Sequence, residues 1–180
     1  MACVNIVPFR EEHASAFRSL QYEWLTANDL LEPCDVVELA ALEDTYLGPG
    51  SALRVAVDKR VVVGGYAVTA VDHETFELSR LAVAAARRRQ GIGRQLIESA
   101  MDFAVSRGGT RLVLASNSRL TAALRLYERL GFHYQPVPPA VAEKYRTADI
   151  YMSASLRVRT QRSPMLDQFR PAGPPTLSNL

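Results

Sequence analysis

The chain has 180 residues, 48% hydrophobic and 22% charged, with a formal net charge of +2 at pH 7. That length accommodates one domain with a full core, and the charge is too small to argue for nucleic acid or an anionic membrane, so neither is expected as a partner. No run of about 18 apolar residues exists, and the N-terminus M-A-C-V-N-I-V-P-F-R-E-E has neither a basic n-region nor a long apolar core, so a cytoplasmic location is expected.

Taken in order, Val4 to Phe9 reads as a first strand. Glu11 to about Thr26 reads as a helix whose buried face is Ala14, Phe17, Leu20, Gln21 and Trp24. A turn carries Asn28, Asp29, Glu32 and Pro33, after which Asp35 with Glu38 has the form of a capping box. It opens a second helix through Val36, Leu39, Ala40 and Leu42, stopped by Leu47-Gly48-Pro49-Gly50. Leu53 to Val57 and Val61 to Val71 alternate and branch as antiparallel strands do, with a turn at Asp58-Lys59 and a bulge or bend at Gly64-Gly65. After Asp72-His73-Glu74 the strand Thr75 to Val83 follows. Strict alternation there puts Phe76, Leu78 and Arg80 on one face and Glu77, Ser79, Leu81 and Val83 on the other. An arginine in line with two core residues points to an interrupted pleat near Ser79 or Arg80.

The next stretch is the most informative. Leu96, Ile97, Ala100, Met101 and Ala104 make a helical stripe beginning just after Gly91-Ile92-Gly93. Glycines let a ligand approach the backbone, the first amides of a helix lack intrahelical partners, and Arg87, Arg88, Arg89 and Arg94 surround them. The combination suits a multiply charged anion such as a pyrophosphate, although the same glycines also fit a plain strand-to-helix connection. A P-loop is excluded because Gly93 is followed by Arg94 and Gln95. A dinucleotide fingerprint is excluded because Leu96 stands where its third glycine belongs.

The helix ends at Gly108-Gly109, and Arg111 to Ala115 form the next strand, making strand-helix-strand with a parallel pairing. Asn117 or Ser118 caps a short helix with Leu120, Ala123, Leu124 and Tyr127 on one face, closed by Gly131. Phe132 to Gln135 and Ala148 to Leu156 read as the last strands around a proline-rich loop, Pro136 to Thr147. The domain therefore spans residues 1–156, and residues 157–180 are too rich in proline and polar side chains to pack, so a disordered tail is expected. Cys3 and Cys34 have no metal or redox spacing and read as free small hydrophobes, and His13, His73 and His133 are isolated, so no metal is expected.

Two stretches carry a family likeness. Arg88-Arg89-Gln90-Gly91-Ile92-Gly93, preceded by the strand Glu77 to Val83, resembles the coenzyme-binding motif of the GNAT N-acetyltransferase superfamily. Asn117, followed by Ala123-Leu124-Arg125-Leu126-Tyr127-Glu128-Arg129-Leu130-Gly131-Phe132, resembles its second hallmark, in the right order and spacing. The resemblance implies an α/β fold with a mixed, mostly antiparallel sheet of six or seven strands, splayed at a bulged fourth strand and flanked by about four helices. It implies acetyl-CoA as cosubstrate, with its pyrophosphate on the backbone of Arg88, Arg89, Gln90, Gly91, Ile92, Gly93 and Arg94 and its pantetheine arm along Leu81, Ala82 and Val83. Asn117 matches a coenzyme-contacting asparagine, while Leu120 replaces a second asparagine common in the family.

By the same resemblance Glu77 is the general base and Tyr127 the general acid. The reaction implied is direct acetyl transfer in a ternary complex to a primary amine, on a small molecule or a peptide, and a homodimer is an assembly the family allows. The acceptor pocket would lie between the first two helices and the Pro136 to Thr147 loop, with Tyr22, Trp24, Asp29, Glu32, Tyr134, Glu143 and Tyr145 as candidates whose acidic members favour a cationic amine. A different class, a non-catalytic acyl-CoA-binding sensor, uses the same pyrophosphate turn without turnover.

Overall fold

In the computed structural model residues 4–156 are described, so the expected tail and Cys3 lie outside the described residues. The strands are β1 (Asn5–Pro8), β2 (Ala52–Asp58), β3 (Val61–Ala70), β4 (Thr75–Val83), β5 (Arg111–Ser116), β6 (His133–Gln135) and β7 (Ile150–Ser155). They form one sheet in the order β1-β2-β3-β4-β5-β7-β6. Every neighbouring pair is antiparallel except β4 and β5, which are joined by the crossover helix α4 (Ile92–Ser106). The mixed, mostly antiparallel sheet matches the expectation.

Helices cover both faces. On one lie α1 (Ala14–Ala27), α2 (Pro33–Ala40) and α3 (Leu42–Tyr46), whose Phe17, Leu39 and Leu42 bury against Leu53, Val55 and Ala67. On the other, α4 and α5 (Thr121–Arg129) press Ile92, Leu96, Ile97 and Leu124 onto Tyr66, Val68, Phe76, Leu78, Leu112 and Met152. The described residues hold six α-helices where about four were expected, because α3 and α6 (Pro139–Lys144) are single short turns of chain.

Two caps differ from the sequence reading. Helix α2 starts at Pro33, and its capping box joins Glu32 to Asp35 instead of Asp35 to Glu38. Proline fits the first helical position, where its missing N–H costs nothing, and this moves the start back. Helix α5 is entered through Leu120, and neither Asn117 nor Ser118 caps it. The bulge or bend expected at Gly64-Gly65 is present as a shift of the β2–β3 register from Ala56↔Gly64 to Val57↔Val62, and Gly65 is also a close-packing site: a Cβ there would lie 2.7 Å from the Phe17 ring and 2.8 Å from the Arg54 carbonyl.

The pleat of β4 is interrupted at Arg80, which has φ +54°. The β3–β4 register passes from Ala67↔Ser79 to Gly65↔Ala82, so Arg80 and Leu81 together oppose Tyr66. One extra residue reverses the faces beyond it. Leu81 and Val83 therefore join Phe76 and Leu78 on the α4 side, correcting the strict alternation, while the Arg80 side chain turns toward α2 and α3.

Candidate active site

Strands β4 and β5 pair only over Thr75–Glu77 and Arg111–Val113. Past that point β5 remains paired to β7 as far as Ser116, and β4 remains paired to β3 as far as Val83, so the two strands part. The gap opens into a cleft of about 140 Å3 lined by Glu77, Leu78, Ser79, Arg80 and Leu81 on one side and Leu114, Ala115, Ser116 and Asn117 on the other. On the β3 side, the Ala84 N–H donates to the Val63 carbonyl at 2.9 Å. Successive amides of an extended strand face opposite edges, so those of Val83 and Leu81 look into the gap and that of Ala82 looks toward β3. Ala82 is buried and serves as the spacer between two open donors.

At the far end of β4 the chain makes one 3₁₀ turn, Ala85–Arg87, and enters α4 through Gly91 at φ +84°. The first amide of α4 with an intrahelical acceptor is that of Gln95, which donates to Gly91 at 3.1 Å. The amides of Ile92, Gly93 and Arg94 therefore have no acceptor among the described residues and face the end of the gap with the positive pole of a 15-residue helix behind them. Arg88 departs from the expected set of free amides, since its N–H lies 3.4 Å from the Ala85 carbonyl. Gly93 has room for a Cβ within the fold, 3.5 Å from Leu126, so packing does not require glycine there. Among the arginines, Arg87 is paired with Asp58 at 2.6 Å and Arg94 with Glu98 at 3.0 Å, while the Arg88 Nε donates to the Val83 carbonyl at 3.3 Å. The turn thus offers an anion main-chain donors ahead of side chains.

Glu77 and Tyr127 line the same cleft. Glu77 has no hydrogen-bond or ion-pair partner among the described residues, and burial raises its carboxyl above the ordinary value. Tyr127 packs its ring against Phe132 at 5.8 Å, and burial pushes its phenol up to about 12. Burial thus keeps the phenol neutral at the sheet gap.

The sequence reading missed the group that supports this arrangement. The Arg80 guanidinium donates from Nε to the Tyr46 hydroxyl at 2.6 Å, from Nη1 to Asp35 at 2.5 Å, and from Nη2 to Glu38. Its backbone carbonyl accepts from the Gln21 amide at 2.7 Å. Glu38 also accepts from Tyr46 at 2.5 Å and pairs with Lys144 at 2.9 Å. Burial pushes the Glu38 carboxyl up, yet the bonds from Tyr46, Lys144 and Arg80 outweigh it and hold it below the usual range. A non-glycine residue in left-handed conformation is thus fastened from both its backbone and its side chain. The sequence signal was the arginine out of place in an apolar row.

Of the residues expected around an acceptor, Trp24, Glu32 and Tyr145 line the cleft; Tyr22, Asp29, Tyr134 and Glu143 do not. Tyr134 instead donates to Glu128 on the surface. Glu32 acts as a clasp: its carboxylate accepts from the Arg146 and Thr147 amides at 2.9 Å each and from the Thr147 hydroxyl at 2.6 Å. Burial raises its pKa and these donors reverse the shift, leaving it lowered. Asn117 is a second clasp, donating to the Thr147 carbonyl at 2.5 Å and accepting from the Arg119 amide at 3.0 Å. Its side chain therefore fixes the cleft wall from within the fold.

Comparison with known proteins bears on these features. A protein-family model described as the acetyltransferase (GNAT) family matches residues 9–132. The curated protein N-acetyltransferase family 8 member 2 of Rattus norvegicus is 29% identical over 114 residues, covering 61% of this chain and 50% of the relative. The chain spans half or less of the length of the first curated relatives it matches. Among solved structures, a GNAT-family acetyltransferase from Staphylococcus aureus Mu50 superposes with a TM-score of 0.77 at 17% identity, covering 86% of this chain and all of that one. N-acetylglutamate synthase from Neisseria gonorrhoeae, complexed with coenzyme A and N-acetyl-glutamate, gives a TM-score of 0.69 at 18% identity over 87% of this chain and 36% of that one. At these identities the likeness to solved structures is one of fold.

Proposed function

The chain belongs to the acetyltransferase (GNAT) family, and from that premise we propose that it transfers an acetyl group from acetyl-CoA directly to a primary amine held in the same cleft. The observation that carries this reading is the junction of three features at one gap: unpaired strand donors at Leu81 and Val83, free helix-entry amides at Ile92 to Arg94, and the Glu77 and Tyr127 side chains. The structural neighbour bound to coenzyme A agrees with it.

The residues fit such a donor. The α4 entry suits a diphosphate, and the open edge of β4 suits an extended amide-bearing arm that pairs like a strand. The donor supplies the activated thioester. Glu77, poorly solvated and unpartnered, draws the proton from the incoming ammonium directly or through one water. Tyr127 delivers a proton to the departing sulfur, which a phenol kept neutral by burial can do. Asn117 and Glu32 hold the Tyr145 to Ala148 wall, and Arg80 holds the bulge that keeps the gap open.

A thiol-release assay with acetyl-CoA and a panel of amines, alongside calorimetry with CoA, tests this reading. Amine-dependent release is expected. CoA binding without release from any amine would favour the acyl-CoA sensor instead, and no CoA heat at millimolar concentration would end both.

A further inference from the structure

The charge arrangement of the cleft narrows the acceptor. Arg80 is the only cationic residue lining it among the described residues. A carboxylate on a substrate ordinarily calls for a free arginine fork. Arg80 cannot provide one: each of its three nitrogens already meets Tyr46, Asp35 or Glu38, and its side chain is 6% exposed. The lining also carries the carboxylates of Glu32, Asp35 and Glu77, with Glu38 behind Arg80 and Lys144 paired to Glu38 from outside. Four carboxylates thus face Arg80 and Lys144, with Arg146 beside Glu32 as a third cation, and when all are ionised the cluster is negative by one charge. A carboxylate entering beside the amine meets that field with no partner, and like charges in a desolvated site repel. An ammonium meets attraction from the same field, with the Trp24, Tyr127 and Tyr145 rings around it.

We propose that the acceptor is an amine whose carbon bears no neighbouring carboxylate, such as an alkylamine, an arylalkylamine or a lysine side chain within a peptide, and that the cleft rejects free α-amino acids. This rests on the acetyl-transfer reading above. The saturated Arg80 is what separates the two classes: an arginine in the pocket that no substrate can reach.

The test uses the full chain at saturating acetyl-CoA and compares kcat/KM within matched pairs: tyramine against L-tyrosine and tryptamine against L-tryptophan, with L-aspartate and L-glutamate as the acidic extreme. The carboxylate-free member is expected to win by at least about tenfold, a discrimination of about 1.4 kcal/mol. The amino acid of each pair has the less basic amine, so ionisation works against the expected ranking. Glu38→Gln, which removes one charge and loosens Arg80, is expected to shrink the ratio. Equal or higher kcat/KM for the amino acids overturns the inference and leaves acetyl transfer standing, and an unchanged ratio in Glu38→Gln overturns its electrostatic basis. No release from any amine, with CoA still bound, overturns the acetyl-transfer reading and this inference with it.

Discussion

Arg80→Ala tests the physical account of the bulge most directly. Removing the guanidinium leaves Asp35 and Glu38 buried, with only the exposed Lys144 and the Tyr46 hydroxyl to compensate Glu38. Breaking a buried ion pair by deleting one partner costs about 3–5 kcal/mol, and with an Arg80 side chain only 6% exposed no large discount for solvent screening applies. At about 2–4 °C per kcal/mol for a chain of this size, the melting temperature should fall by roughly 6–20 °C. Alanine keeps the strain of φ +54° that arginine bears. Arg80→Gly relieves that strain and should be about 1 kcal/mol more stable than Arg80→Ala. Urea unfolding at neutral pH reads both differences. The pH dependence follows from Glu38, whose folded pKa lies below the ordinary 4.5. Its stabilisation is present above the ordinary carboxylate pKa and is lost as pH falls through the folded value. That acid-side loss should be smaller in Arg80→Ala. A loss of under about 1 kcal/mol, the scale of an exposed pair, would refute the reasoning.

Three further outcomes are expected. Tyr127→Phe keeps the ring packing on Phe132 and should lower kcat about 10- to 1,000-fold with the KM for acetyl-CoA little changed; undiminished turnover would remove Tyr127 as the acid. Glu77→Gln should abolish an acidic limb of the pH–kcat/KM profile lying above 4.5, because burial raises the Glu77 pKa and the base works only above it. The same shift means that ionised Glu77 is unfavourable to the fold as pH rises through its folded pKa, so the glutamine variant should be no less stable than wild type at pH 7. Gly91→Glu forces a side chain onto φ +84° and adds a negative charge beside the free amides. CoA heats should vanish in calorimetry while circular dichroism keeps the folded spectrum.

The limits of β4, Thr75 to Val83, were readable because its alternation is framed by Asp72-His73-Glu74 and by the arginine turn, and its one irregular residue, Arg80, disclosed the bulge. The α4 entry was readable because the change from strand to helical period coincides with two glycines. Glu77 and Tyr127 were placed only by motif spacing, and the structure brings both to one cleft. What stayed hidden is non-local. Glu32 and Asp35 form an i,i+3 pair just as Asp35 and Glu38 do, and spacing alone does not choose between them; Pro33 was the signal that does. That Glu32 serves the Thr147 amide depends on chain 115 positions away, and the Asn117 contact spans 30. Acidic residues near a pocket look alike in sequence whether they receive a substrate or a backbone.

The position of β7 has a consequence for synthesis. Among the described strands it is translated last, yet it sits inside the sheet, between β5 and β6. While the nascent chain lacks Ile150 to Ser155, β5 shows the ribosome-side solvent a bare outer edge from Arg111 to Ser116, and β6 has no neighbour at all. Such an edge invites pairing with other chains. Thr147, gripped by Glu32 and Asn117, arrives only just before that strand. The cleft is therefore walled in only once Thr147 and β7 have emerged, and β7 covers the aggregation-prone margin of β5.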